Sequence, residues 1–278
     1  MRGPAAARDR WPQTGTVLEP SSGRTPYVPS QRLVIIVGNY GSGKTEVAVN
    51  LALTRARAGK RVQIADLDIV NPYFRSREAW SLMEALGIRV VMPPGEQQFA
   101  DLPIVVPEIK GMLAPAGDDL SIFDVGGDDV GARMLSSFRE ALGDAPYSLL
   151  QVINSRRPFT DTVAGCLKMK IAIETASRLR VTGLIVNSHL IEETTPGIVL
   201  EGYRMGLEVG RRSGIPVEFV AVMGDLADDP ALEGIAAPVL RLERNMLPPW
   251  LQKIEKVDSP TGADRGLPAA RTKPIGRP

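Results

Sequence analysis

The chain has 278 residues, 33 Lys and Arg against 32 Asp and Glu, a net charge of +1, and 44% hydrophobic and 23% charged residues. That balance excludes a surface built mainly to neutralise DNA phosphates, and the single cysteine, Cys166, excludes an intramolecular disulfide, a CxxC redox pair and a cysteine-ligated iron–sulfur cluster. No apolar run approaches the ~20 residues that span a bilayer. Arg2, Arg8 and Arg10 are followed by no apolar stretch, so no secretory signal is read and a cytoplasmic protein is expected.

Residues 1–30 are rich in Pro, Gly, Ser and Arg, show no hydrophobic periodicity, and are expected to form a disordered leader. The pattern then predicts a strand at Leu33–Val37, a helix at Lys44–Ala58, a strand at Arg61–Ala65, a helix at Ser76–Leu86 and a strand at Arg89–Met92. A Pro-rich insertion at 93–117 breaks the rhythm, and it reads equally as a partner- or substrate-facing element or as a packed loop with one short helix. Further on come a strand at Leu120–Asp124, a helix at Gly131–Leu142, a strand at Ser148–Ile153 and a helix at Thr160–Leu179. A strand at Val181–Val186, a helix at Ile198–Ser213 and a strand at Val217–Val222 complete the series. The strands are apolar throughout rather than alternating, which suits a parallel sheet covered on both faces. The expectation is an α/β fold over residues 31–245: a doubly wound, mostly parallel seven-stranded sheet with helices on both faces. Residues 246–257 carry Trp250, Leu251, Ile254 and Val257 at helical spacing, a short amphipathic segment expected to pack on the protein's own body, so membrane contact is not expected. Residues 258–278 read as a disordered tail.

The sharpest motif is Gly38-Asn39-Tyr40-Gly41-Ser42-Gly43-Lys44-Thr45, which satisfies G-x-x-x-x-G-K-[ST] between a predicted strand and a predicted helix and runs on into Glu46. Gly41 and Gly43 permit backbone conformations closed to residues with a Cβ, so that the loop N–H groups converge on phosphate oxygens at a helix N-terminus. Lys44 would reach the β- and γ-phosphates, and the Thr45 hydroxyl would hold Mg2+. Asp124 closes an apolar strand, where a carboxylate is costly unless paired or near a metal, and is the second magnesium anchor. Val125-Gly126-Gly127 follows it, and Gly127 would bring a backbone N–H to the γ-phosphate. Asp66 and Asp68 stand at i, i+2 at the end of the second strand, with Asp66 assigned the metal side and Asp68 the attacking water.

Together these residues resemble the P-loop nucleotide-binding family that contains the CobQ, CobB, MinD, ParA and Mrp-type proteins, over roughly residues 33–242. The resemblance implies an Mg-ATP-dependent ATPase that acts as a switch or assembly factor for a protein partner, with ATP-dependent homodimerisation as a further expectation. It also implies that the second Asp of the D-x-D, Asp68, supports hydrolysis and that Asn187, closing a late strand, reads adenine. A side-chain amide suits that edge. Guanine readers carry N-K-x-D, whereas the run here is Asn187-Ser188-His189-Leu190, so ATP is expected over GTP. His189 is read as a loop residue beside the base. One departure is Asn39, where MinD and ParA proteins carry a second lysine that acts across the dimer. Asn154-Ser155-Arg156-Arg157-Pro158-Phe159 offers arginines to phosphate, to an acidic partner or to solvent. No arginine finger is identifiable, so turnover is expected to be slow. An ATP-dependent ligase or kinase of the CobB and dethiobiotin-synthetase type, or a non-hydrolysing nucleotide-binding module, are the alternative functions. DNA binding is not expected, because no core helix carries a basic stripe.

Overall fold

In the computed structural model the described residues are 26–67, 77–91, 107–127 and 129–245. Eight strands form one sheet: β1 (Leu33–Gly38), β2 (Val62–Leu67), β3 (Arg89–Val91), β4 (Leu120–Val125), β5 (Ser148–Ile153), β6 (Gly183–Val186), β7 (Val217–Met223) and β8 (Val239–Leu242). Their order is β3-β2-β4-β1-β5-β6-β7-β8, and every neighbouring pair is parallel. The helices between them are α1 (Lys44–Arg57), α2 (Arg77–Ala85), α3 (Pro107–Leu113), α4 (Asp129–Leu142), α5 (Val163–Ser177) and α6 (Pro196–Ser213). The described residues all fall in a compact unit that extends to Met246. Among them no helix is long and apolar enough to cross a membrane.

The alternating geometry of a strand divides its side chains between two faces, and β1 shows the result. Val34 and Ile36 enter a core with Val47, Leu51 and Leu53 of α1 and Met83 of α2. Leu33, Ile35 and Val37 enter the opposite core with Met112 and Leu113 of α3 and Leu135 and Phe138 of α4. There Phe123 of β4 meets Phe138 edge-on, ring centroids 5.0 Å apart. A third core joins β6 and β7 to Cys166 of α5 and Val199, Tyr203 and Val209 of α6. All six residues of β1, β2, β4 and β5 are buried, as a sheet covered on both sides requires.

Three features depart from the sequence expectation. The sheet has eight strands, not seven, because Val239–Leu242 pairs with β7; four residues behind Ala-Pro give too short a pattern to read as a strand. Tyr27 lies within the expected leader, yet it is buried against Phe219 with ring centroids 4.2 Å apart, and Pro26 bridges to Val239. A lone aromatic among polar residues leaves no periodic trace. Helix α5 begins three residues late, because the Thr162 side chain caps it by accepting from the Gly165 N–H, and it ends at Ser177, where Arg178 turns left-handed at φ 57°. In the described second half of the insertion, α3 fastens itself to the body through buried Ile109, Met112 and Leu113. Residues 92–106 and 246–278 lie outside the described residues, as do Asp68 and Asp128.

Candidate phosphate-binding site

β1 delivers Gly38 to the C-terminal edge of the sheet and α1 departs from Lys44, so residues 39–43 form the loop between them. Gly41 (φ 73°) and Gly43 (φ 81°) are both left-handed, conformations that cost other residues about 1–2 kcal/mol. A Cβ on Gly43 would also stand 2.3 Å from Asn187 Nδ2. Gly43→Ala is therefore expected to lower the melting temperature by roughly 4–8 °C, from about 2 kcal/mol of strain in a chain of this size.

Thr45, in the first turn of α1, donates its hydroxyl to Asp124 Oδ2 at 2.6 Å. Asp124 is the penultimate residue of β4, which lies directly beside β1, and it is fully buried. Asp66 on β2 is its register partner and is also buried, so the two carboxylates occupy equivalent positions on adjacent strands. Two neighbouring negative charges in a low-dielectric edge repel, and a cation between them and the loop relieves the repulsion. Lys44 supplies buried positive charge at the same edge. Ser42 Oγ is buried with no hydrogen-bond partner among the described residues. The loop after β4 rests on the start of the phosphate loop: a Cβ on Gly127 would lie 2.2 Å from the Gly38 carbonyl oxygen. The Thr45 hydroxyl and the Asp124 and Asp66 carboxylates are hard oxygen donors of the kind magnesium takes, and these residues would hold it at the mouth of the loop.

The remaining candidates fall into different places. Tyr40 sits at the loop tip, 67% exposed, and Asn39 donates its side-chain amide to the Pro158 carbonyl at 3.2 Å. Glu46, expected at the nucleotide, instead accepts from the Asn245 N–H at 2.7 Å and from Asn50 Nδ2 at 3.2 Å, because one turn of helix aims it along α1 toward the loop after β8. Asn187 directly follows β6 and gives one amide N–H to the Ser42 carbonyl at 2.8 Å, which ties the end of β6 to the phosphate loop. That leaves its Oδ1 and its other N–H for a ligand.

Sequence reasoning missed two devices that hold these loops. Asn50 donates to the Glu243 carbonyl at 2.9 Å and accepts from the Glu243 N–H at 2.7 Å, which fixes α1 to the end of β8. Its signal was a polar residue inside the apolar run Val47–Leu53. Asn154, at the end of β5, accepts on Oδ1 from the N–H groups of Arg156 and His189, and Ser188 Oγ accepts from the Ser155 N–H, so the loops after β5 and β6 form one body. No local pattern reveals such a cross-strand bond.

His189 places Nε2 3.3 Å from the position a Cβ on Gly43 would take, and its Nδ1 accepts from the Ile191 N–H. Burial, followed by the positive charges of Arg157 and Arg244, lowers its pKa from 6.5 to about 4. The ring is thus neutral near pH 7. Stability carried by the neutral ring is fully present above the unfolded pKa of 6.5 and is lost as pH falls toward 4, up to roughly 3 kcal/mol. His189 is the only histidine. Its NMR titration should therefore give one midpoint near 4, and His189→Gln should flatten the stability profile between these values.

No family model matches the chain, and no curated protein matches it in sequence. Among solved structures it is similar in fold to the cell division protein FtsY of Thermotoga maritima, at 24% identity and TM-score 0.48, over 73% of this chain and 66% of that one. It is similar to a nucleotide-binding protein of Archaeoglobus fulgidus in complex with ADP, at 18% identity and TM-score 0.43, over 72% and 84% of the two chains. It is similar to FlhF complexed with GTP and Mg2+, at 16% identity and TM-score 0.44, over 68% and 64%. The chain thus spans slightly less than two thirds of the lengths of FtsY and FlhF. At these identities the likeness is one of fold, and the reading of the site stands on the chain's own geometry.

Proposed function

We propose that the chain binds a magnesium nucleoside triphosphate at Gly38–Thr45, with ATP as the nucleotide, hydrolyses it slowly, and uses the cycle as a switch for a partner protein. The observation that supports this most is the 2.6 Å hydrogen bond from Thr45 to Asp124 at the mouth of a loop whose glycines are left-handed. In this reading the loop N–H groups and the α1 N-terminus hold the phosphates, and Lys44 neutralises the β/γ oxygens. Thr45 and Asp124, with Asp66 beside them, hold Mg2+, which when bound withdraws charge from the phosphates. Asp68 orients the attacking water. Gly127, already against Gly38, responds to the γ-phosphate through its backbone, and a change there passes into α4.

The family proposed is the MinD/ParA-like group named above. ATP is preferred because Leu190 stands where a guanine reader carries an acidic side chain, and Asn187 keeps Oδ1 for an amino group. Any nucleotide-dependent homodimer would form without a second lysine in the loop, since Asn39 is engaged with Pro158 of its own chain. Phosphate release from ATP and from GTP, each with and without Mg2+, tests the reading. Mg2+-dependent release that is faster from ATP is expected. Absence of both release and binding for either nucleotide would overturn it.

A further inference from the structure

Two arginines leave β5 side by side and end differently. Arg156 forms an ion pair with Glu201 of α6. Arg157 has no carboxylate partner among the described residues, and its Nε is buried without a hydrogen-bond partner. The side chain turns back over the phosphate loop. A Cβ built on Gly41 would stand 3.4 Å from Arg157 Nε and 3.6 Å from its Cδ and Cζ. A buried guanidinium N–H without an acceptor is costly. The neighbouring His189 ring is neutral, in part because Arg157 already stands near it.

The loop that presents Arg157 is held firmly. Its own N–H donates to the Asn154 carbonyl at 3.1 Å, and its carbonyl accepts from the Thr160 N–H at 3.3 Å. Thr160 Oγ1 donates to the Asn154 carbonyl at 2.9 Å, and Asn39 donates to the Pro158 carbonyl from the phosphate loop itself. Phe159 follows at φ 70° with its ring 71% exposed. A positive φ in an aromatic residue is strained and persists only where the surroundings over-determine it. A solvated surface arginine needs none of this.

We infer that Arg157 is a phosphate-binding residue acting in cis, its guanidinium taking oxygens of the phosphate chain cradled by Gly38–Thr45 and so gaining the acceptor that its Nε lacks. The inference rests on the reading that a nucleotide occupies this loop, and it gives that site a second cation besides Lys44, from the loop after β5. The planar fork suits phosphate oxygens. An anion here also offsets the positive potential that the loop, Lys44 and Arg157 create together.

The test is the affinity for a non-hydrolysable Mg-ATP analogue, with turnover of ATP, in the full chain carrying Arg157→Gln, Arg157→Met or Arg156→Gln. Both changes at Arg157 are expected to weaken binding 10- to 100-fold and to reduce the salt dependence of the affinity, whereas Arg156→Gln stays within about twofold of wild type. The methionine variant keeps the apolar packing over Gly41, so it carries the test should the glutamine variant melt early. Wild-type affinity and turnover in the Arg157 variants would overturn the inference while leaving the nucleotide site intact. Failure of the wild-type chain to bind the analogue would instead remove the underlying reading.

Discussion

Lys44→Ala is expected to weaken nucleoside triphosphate binding at least 100-fold, about 2.8 kcal/mol, while the fold persists. Lys44 is 5% exposed at the start of α1, where the phosphate loop ends. Each charge-assisted hydrogen bond to a phosphate oxygen is worth about 1.5–3 kcal/mol, and the lysine of such a loop makes more than one. Lys44→Arg should recover little, because a planar fork does not reproduce the contacts of a compact point charge. Equilibrium titration with a fluorescent nucleotide reads the affinity, and circular dichroism checks the fold. Retained affinity in Lys44→Ala would mean that the loop's glycine geometry serves only the turn.

Asp124→Asn is expected to act on chemistry more than on binding. The amide keeps the shape of the carboxylate and can still accept from Thr45, so the 2.6 Å contact survives in weaker form. The charge that would hold magnesium is lost. Turnover should fall 100- to 1000-fold and lose its dependence on Mg2+ concentration, whereas metal-free nucleotide affinity changes little. Because Asp66 stands in register beside it, removing one of two adjoining negative charges offsets the weakened hydrogen bond. The melting temperature should stay within a few degrees. A variant with unchanged turnover would take Asp124 out of the metal site.

The sheet and the phosphate loop were legible because each rests on local chemistry. β1, β2, β4 and β5 are buried on both faces, which forces runs such as Leu33–Val37 that no solvent-facing strand would carry. The loop is marked by the G-x-x-x-x-G-K-[ST] run, and Gly41 and Gly43 take the left-handed conformation that the absence of a Cβ permits. Asp124 stood out because a carboxylate in an apolar strand needs a partner, and the partner is the Thr45 hydroxyl. What escaped was tertiary. Tyr27 is an isolated ring that packs on Phe219, and β8 is a four-residue strand recruited by β7. Glu46 belongs to the motif by sequence, but helix geometry turns it toward Asn245. Arg156 and Arg157 are adjacent and chemically identical; only the fold sends one to Glu201 and the other over Gly41.

The central claim is that the loop from Gly38 to Thr45 grips a triphosphate whose metal is shared between Thr45 and the strand-end aspartates. Calorimetric titration of the full chain with a non-hydrolysable Mg-ATP analogue tests it most directly. The account predicts one site per chain, an affinity that weakens at least tenfold when Mg2+ is withheld, and its loss in Gly43→Ala. No heat of binding, or binding indifferent both to Mg2+ and to Gly43→Ala, would contradict it.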